Sequence, residues 1–420
     1  MEKKRIGIIG GGISGTCLGY HLSLYDNAEV TVFEKDTIGG ASTAKSAGTV
    51  CLFDDSLRNR YWDVRLYGFE SYLKMEAEEK GSAGFDKTGT LVVATNEQVE
   101  ATIKTGIALT KAAGYTGEYI TDKDRIKEIL PDISTDNILG AGYTQDDGYF
   151  DGTMISNTYA KKMQKNGGVI KTGVKVTEVV VKDNKVKGLK TSEGEEYEFD
   201  YVVDCTGPWS RFTGELVGLD VPIWHTKAEA FFLCPPGKKL SYTFPVLKYP
   251  EFYALRAGDN IFICKSHLSM DLNNPMHAGQ WDPDKLPATG GTDDYFIDFL
   301  LDQLEVKVPG IVDSGLVSSW LSYRAEPKDF LPILGETPVE GYILATGYGG
   351  NGVIEAPAAS RDLAKLIMRG ESTPVTGRLG IQTSALILET NIDSPAMDHF
   401  VHGRSVIRIS GGKHGYSGSY

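Results

Sequence analysis

Basic side chains are in short supply in this chain: 43 Lys and Arg stand against 56 Asp and Glu, for a formal net charge of −13 over 420 residues. Nucleic-acid phosphates need a basic footprint, so no nucleic-acid partner is expected. An acidic surface serves solubility instead. Cysteine is sparse and scattered. Cys17, Cys51, Cys205, Cys234 and Cys264 form neither a C-x-x-C pair nor an even-numbered framework, which argues against a zinc site and against a disulfide-stapled secreted fold. No metal site is expected. No apolar run reaches the roughly 18 residues of a membrane helix, so no integral membrane segment is expected. The opening MEKKR is basic like the start of a signal peptide, but the apolar run behind it is glycine-laden and lacks a small-residue cleavage site. The expected location is cytoplasmic. Repeats and low-complexity segments are also missing.

What is present first is an alternation of strand and helix. "RIGIIG" reads as a short buried strand, "SGTCLGYHLSLY" as a helix and "EVTVFE" as a second strand, the βαβ start of a doubly wound sheet. Trp62, Leu66, Phe69 and Leu73 recur at helical spacing between Arg58 and Glu79. "TGTLVVAT" (88–95) predicts a strand, 97–113 a helix, and "GAGYTQDDGYFDG" (140–152) a turn-rich junction. "SNTYAKKMQKNGG" predicts an amphipathic helix ended by glycines, followed by alternating strands with "KDNK" and "SEGEE" turns. Strands running into glycine turns recur near residues 10, 205 and 347. One open sheet built from separated segments would bring the three together, with other chain inserted between.

The first of these turns carries Gly10, Gly12 and Gly15 in G-x-G-x-x-G order, after a strand and at a helix start. The first glycine permits the tight turn, the second lets backbone approach a pyrophosphate, and the third packs helix against sheet. Ile13 and Ser14 complete the helix start, whose positive end faces the anion. Glu34 ends the second strand 19 residues after Gly15, where an acid accepts hydrogen bonds from ribose hydroxyls. With no arginine close behind Glu34, a 2′-phosphate is disfavoured, and NADP with it; Lys35 beside it is a further cofactor-binding candidate. The following "KDTIGGASTAKSAGTV" (35–50) offers backbone donors and hydroxyls suited to a longer dinucleotide such as FAD.

Three blocks, "GIIGGGISG…VTVFEKDTIGGASTAKSAG", "VVDCTGPW" and "YRAEPKDFLPILGETPVEGYILATGYGGNGVIEAPAASRDLAKLI", together resemble the D-amino-acid oxidase superfamily of FAD enzymes. The resemblance spans residues 5 to 369 and is nearest to the branch of glycine oxidase, sarcosine oxidase and dimethylglycine dehydrogenase. It implies an α/β fold: a Rossmann-type FAD-binding part from residues 1–80, 150–220 and 320–376, and an α+β substrate part with a mixed or antiparallel sheet from 81–149 and 221–319. Residues 377–420 carry no readable role. By resemblance, Gly10, Gly12, Gly15 and Glu34 take the ADP half of FAD, and Ser42, Thr43, Lys45 and Ser46 lie near the pyrophosphate and flavin. Val174 takes the position that meets adenine, and Thr206 and Gly207 the second strand-end turn. Gly347, Gly349, Gly350, Asn351 and Gly352 take the loop facing the flavin pyrimidine ring, with Tyr348 shaping the pocket.

The implied chemistry is oxidation of the C–N bond of a small amine or amino acid, with oxygen or another acceptor taking the electrons. Arg324 matches the arginine that holds a substrate carboxylate, ideally in a bidentate pair; the alternative is an ion pair with Glu326 or Asp329. Tyr253 is a candidate carboxylate hydrogen-bond donor, with Arg256 beside it. Lys265 lies near the lysine that sarcosine-oxidase-type enzymes use in oxygen reactivity; His225 and His267 are weaker candidates. Where the dimethylglycine-type enzymes have a flavin-bonding histidine, this chain has Lys45, and no cysteine follows Cys264. Non-covalent FAD is expected. Gly350 replaces the second arginine of glycine oxidase, which places glycine itself in doubt as substrate. Alternatives are oxidation of a 2-hydroxy acid, a catalytically silent flavin-binding subunit, and a disfavoured NAD-dependent dehydrogenase. The oligomeric state is left open.

Overall fold

The run Lys4–Ile9 has apolar side chains on both faces, as a parallel strand covered on both sides requires. In the computed structural model, which describes residues 2–55, 62–235, 237, 240–266, 270–371 and 408–409, it sits inside a six-stranded sheet. The order is Ile333–Glu336, Tyr342–Thr346, Tyr201–Asp204, Lys4–Ile9, Ala28–Glu34, Val169–Thr172. All neighbours are parallel except the first pair. The three strands that run into glycine turns are therefore adjacent, and their carboxyl ends open side by side. This is the place where open α/β sheets bind ligands.

Helices Ile13–Leu22, Gly152–Lys165 and Gly352–Arg369 pack together on one face, joined through Ile6, Ile8, Leu18, Met163, Ala359 and Leu363. The other face carries a three-stranded antiparallel sheet, Val176–Lys182, Lys185–Thr191 and Glu196–Glu198, packed through Val179, Val186 and Leu189 onto Phe33, Val202 and Leu344.

The second large sheet has nine strands. Its centre is antiparallel: Trp224–Cys234, Asn260–Lys265, Phe252–Ala257 and Val246–Lys248 follow one another. Gly315–Glu326 flanks Trp224–Cys234 on its other side, and Val246–Lys248 pairs in parallel with Thr90–Ala94. Side chains alternate across a sheet. Phe231, Leu247, Phe252, Ala254, Ile261 and Ile263 bury against Phe296, Leu300 and Leu304 of helix Asp294–Lys307, while Ala230, Val246, Leu255, Phe262 and Cys264 form the opposite face.

Several local expectations are revised. The expected junction at 140–152 begins with the strand Gly140–Thr144, paired to Thr90–Ala94 and Glu118–Ile120. Its glycines hid it, and they are there because neighbours crowd: a Cβ on Gly142 would stand 2.4 Å from Ile103 Cγ2. The first helix stops at Leu22 rather than running to Tyr25. Of the helix expected from Arg58, residues 58–61 lie outside the described residues and Trp62–Glu78 is helical. The tail beyond Pro374 also lies outside them, apart from the strand Arg408–Ile409, which pairs with Leu219–Asp220. No described helix is long and apolar enough to cross a membrane, and among the described residues no His, Cys, Asp and Glu cluster could hold a metal ion.

Candidate cofactor and substrate site

Two helices start at the carboxyl edge of the six-stranded sheet without a side-chain cap. Helix Ile13–Leu22 follows Gly12, and helix Gly352–Arg369 follows Asn351. An uncapped helix start leaves backbone N–H groups pointing outward with the positive end of the dipole. At the first, only Ile13 N–H finds a side chain, Thr43 Oγ1 at 3.2 Å. The turn before it is closed too tightly for any other residue type: a Cβ on Gly10 would lie 2.6 Å from the Cys205 carbonyl oxygen, and one on Gly15 would lie 1.9 Å from that of Gly10. Gly15 is accordingly a packing residue and is not among the residues lining the main cavity. The Glu34 carboxylate is fixed at the end of its strand by the N–H groups of Gly11 (2.7 Å) and Asp36 (2.8 Å).

A cavity of about 250 Å³ starts from this turn and passes between the two sheets. Gly10, Gly12, Ile13, Ser14, Glu34 and Lys35 line it, as do Ser42, Thr43, Lys45 and Ser46 of the following loop. Val174, held to Glu34 O by its N–H at 3.0 Å, and Thr206 with Gly207 add the next strand ends. Thr206 is set by Asp204, whose Oδ1 accepts from its N–H at 2.9 Å and its hydroxyl at 2.6 Å; burial pushes the Asp204 carboxyl up to about 6. Gly347, Tyr348, Gly349, Gly350 and Gly352 bring in the second helix start. Gly349 has φ +54°, and a Cβ there would meet Glu326 Oε1 at 2.3 Å. Its N–H donates to Ala325 O at 2.9 Å, which ties this loop to the strand carrying Arg324.

The nine-stranded sheet supplies the facing wall. Register pairs Lys248 with Tyr253, Tyr253 with Cys264, Cys264 with Ala230, and Thr226 with Arg324. Directly opposed residues share a face, and this is the face opposite helix Asp294–Lys307. Arg324 is 9% exposed. Its guanidinium donates to Lys227 O (3.3 Å), Lys265 O (3.4 Å) and Cys264 Sγ (3.4 Å). Neither Glu326 nor Asp329 is ion-paired with it among the described residues. Burial works against its charge, but Cys264, Tyr253 and Glu326 outweigh burial and hold its pKa above the ordinary arginine value. Burial, and then Cys264, push the Tyr253 phenol up, so it stays protonated.

Other expected residues fall elsewhere. Lys265 is turned away from the cavity. Its neighbour Cys264 faces inward, so the pleat sends Lys265 to the helix side, where its ammonium lies 4.6 Å from the Phe299 ring centre and 3.4 Å from His277 Nε2. Tyr348, by contrast, does line the cavity while packing into the apolar cluster with Ala345, Ala358 and Ala359, and burial pushes its phenol up. Asn351 lines a smaller polar chamber of about 70 Å³, which also touches Tyr253, Arg324 and Gly350. His225 is a structural residue: Nε2 meets Pro208 O at 2.7 Å and Nδ1 accepts from Trp281 N–H at 3.0 Å. His267 lies outside the described residues. Arg256 donates to Gly258 O at its hairpin turn and does not line the cavity. The residue missed by sequence reasoning is Lys248, which the strand register brings to the cavity side. Counting alternate positions back from Tyr253 fails to find it, because the turn at 249–251 resets the alternation.

The glycine cradle, the uncapped helix start beside Thr43 and the fixed Glu34 carboxylate fit the pyrophosphate and ribose of FAD. The second uncapped helix start, behind Gly347 and Gly349, fits an electron-rich flavin ring. A family model described as FAD dependent oxidoreductase (DAO) matches residues 5–366. The chain is 26% identical over 377 residues to mitochondrial dimethylglycine dehydrogenase of Mus musculus, covering 87% of this chain and 42% of that protein. It is 24% identical over 370 residues to glycine oxidase of Bacillus subtilis (strain 168), covering 87% of this chain and 93% of that one. It thus spans about two fifths of the dimethylglycine dehydrogenases it matches. The solved L-proline dehydrogenase from P. horikoshii shares the fold, with a TM-score of 0.74 at 22% identity over 89% of this chain and 96% of that one. With the family match covering most of its length and a cradle that fits the cofactor, the chain belongs to the DAO family of FAD-dependent oxidoreductases.

Proposed function

We propose that this chain oxidises the C–N bond of a small amine or amino acid bearing a carboxylate, with non-covalent FAD as the acceptor. The observation that carries the reading is Arg324, a buried guanidinium on the cavity side that hydrogen-bonds two carbonyls and a thiol among the described residues. A planar fork of donors in that setting suits a substrate carboxylate. FAD, when bound, supplies the two-electron acceptor for hydride leaving the carbon that bears nitrogen, and the imine product hydrolyses in water. Arg324 and the protonated Tyr253 orient the carboxylate. The uncapped helix start at Gly352 would offer backbone donors to negative charge developing on the cofactor. The sheet face and its apolar neighbours Ala230 and Phe262 exclude water.

Non-covalent attachment rests on the nearby side chains. Lys45 donates its ammonium to Leu321 O at 2.9 Å and Pro287 O at 3.3 Å. The thiols of Cys205 and Cys264 border the cavity, and burial raises both, which keeps them protonated and poorly nucleophilic. Acid precipitation should leave the yellow colour in the supernatant; colour in the pellet contradicts this. Anaerobic addition of N-methyl, D-, L- and cyclic amino acids to the FAD-loaded protein tests the substrate class. Bleaching by at least one of them is expected. Bleaching by 2-hydroxy acids alone overturns the amine reading.

A further inference from the structure

The polar chamber of about 70 Å³ beside the main cavity is not used by the reading above. Asp54, Asp55, Arg65 and Lys248 line it, together with Tyr253 and Arg324, which also line the main cavity. A molecule held on Arg324 therefore has the chamber within reach of its far end.

The chamber's charges are unequally engaged. Arg65 is held by all three of its nitrogens: Nη1 donates to Asp54 Oδ2 at 2.7 Å, while Nε and Nη2 donate to Cys51 O at 3.2 and 2.7 Å. Lys248 is different. Its one ion-pair contact among the described residues is the same Asp54 Oδ2, at 3.8 Å, beyond hydrogen-bond range. No hydrogen bond from its ammonium is made among the described residues. Register sets it directly across from Tyr253, on the face that carries Arg324. Three cations, Arg65, Lys248 and Arg324, and two acids line the chamber, with Glu326 acting on Arg324 and Asp147 on Arg65 and Lys248 from outside the lining. One acid, Asp54, is already held by Arg65. The other, Asp55, is pushed up to about 6 by burial and by Asp54, so an approaching anion favours its protonated, hydrogen-bond-donating form.

We infer that this chamber is a second anion subsite, with Lys248 as its specificity-determining residue. The preferred substrates are amines carrying two carboxylates, one held by Arg324 and Tyr253 and the other by Lys248. The inference rests on the C–N oxidation reading and names its substrate class.

The test compares matched pairs that differ only in a terminal carboxylate: N-carboxyalkylglycines against N-alkylglycines of the same length, and glutamate against norvaline in both enantiomers. Anaerobic reduction of the FAD-loaded protein gives an apparent dissociation constant for each. At least one diacid should bind 10-fold or more tighter than its partner, and Lys248→Met should bring that ratio close to one. Ratios of one or below throughout, or a preference that survives Lys248→Met, overturn the inference. Should the variant fail to retain FAD, unreactive probes give the comparison in the unaltered protein: glutarate should perturb the flavin absorbance at 10-fold lower concentration than butyrate, and equal effects overturn the inference. The perturbation needs no turnover. A protein that binds glutarate but is reduced by no amine disproves the oxidation reading and leaves the anion subsite standing.

Discussion

Arg324 and Lys265 sit on the two strands that flank Trp224–Cys234, and the pleat separates their roles. Arg324 Nη2 reaches the Lys265 carbonyl and the Cys264 thiol, while the Lys265 ammonium lies on the other side of the sheet among Tyr295, Phe296 and Phe299. Arg324→Ala should therefore raise the apparent substrate dissociation constant roughly a hundredfold, as about 3 kcal/mol for a charged hydrogen-bonded pair implies. FAD should be retained, as visible absorbance will show. Lys265→Met should leave the rate of flavin reduction and of reoxidation within about twofold, measured by stopped flow. Arg324 was legible in the sequence because it abuts a recognisable block. Lys248 was not, since cross-strand register fixes which lysine meets the smaller chamber and no residue pattern spells register across a turn.

At the scale of elements, the glycine turns decide how closely strands and helix starts approach. Gly349→Ala would set a methyl group against the Glu326 carboxylate in a left-handed backbone, at a cost of about 1–3 kcal/mol. Its FAD dissociation constant should rise at least 10-fold by fluorescence titration. Asp147 joins two elements, accepting from Leu52 N–H at 2.7 Å and from the Thr90 hydroxyl at 2.6 Å. Burial lifts its carboxyl from the ordinary 3.8 to about 7. The folded state therefore holds a proton that the unfolded chain loses near pH 4. This contribution to stability is complete below about pH 4 and is lost as the pH rises through 7. Urea unfolding of Asp147→Asn across pH 4 to 8 should show a shallower decline than the parent; parallel curves would remove the assignment. Strands with apolar runs and turns requiring glycine were readable in advance. The strand Gly140–Thr144 was not, because crowding by Ile103 and Phe53 selects glycine where a strand ordinarily shows branched residues.

Over the whole molecule, the two sheets share one cavity and are joined across it by polar clasps. Asp284 accepts from Trp209 Nε1 at 2.7 Å and pairs with Lys35, whose ammonium lies 4.2 Å from the Trp209 ring centre. Lys45 adds its bond to Leu321 O. Because Asp284 is partly exposed, Asp284→Ala should weaken FAD by only a few-fold, in line with surface ion pairs, and more at low salt than at high. The sequence showed that the sheet strands come from separated segments, since each strand carries its own glycine turn. It did not show that the long strand Gly315–Glu326 belongs to the nine-stranded sheet while its last residues support the loop Gly347–Gly352, because pairing partners as far apart as Trp224 and Glu326 leave no local signature.

The most direct test joins these scales in one comparison. An amino acid that reduces the flavin is set against the amine lacking its carboxylate, in the parent protein and in Arg324→Met, by anaerobic stopped-flow reduction. The expected result is a preference of roughly a hundredfold for the carboxylate in the parent that collapses in Arg324→Met, with the flavin spectrum of the resting protein unchanged. Equal reduction of the two compounds by the parent, or a preference that persists without the guanidinium, would contradict an arginine-anchored amine site facing FAD.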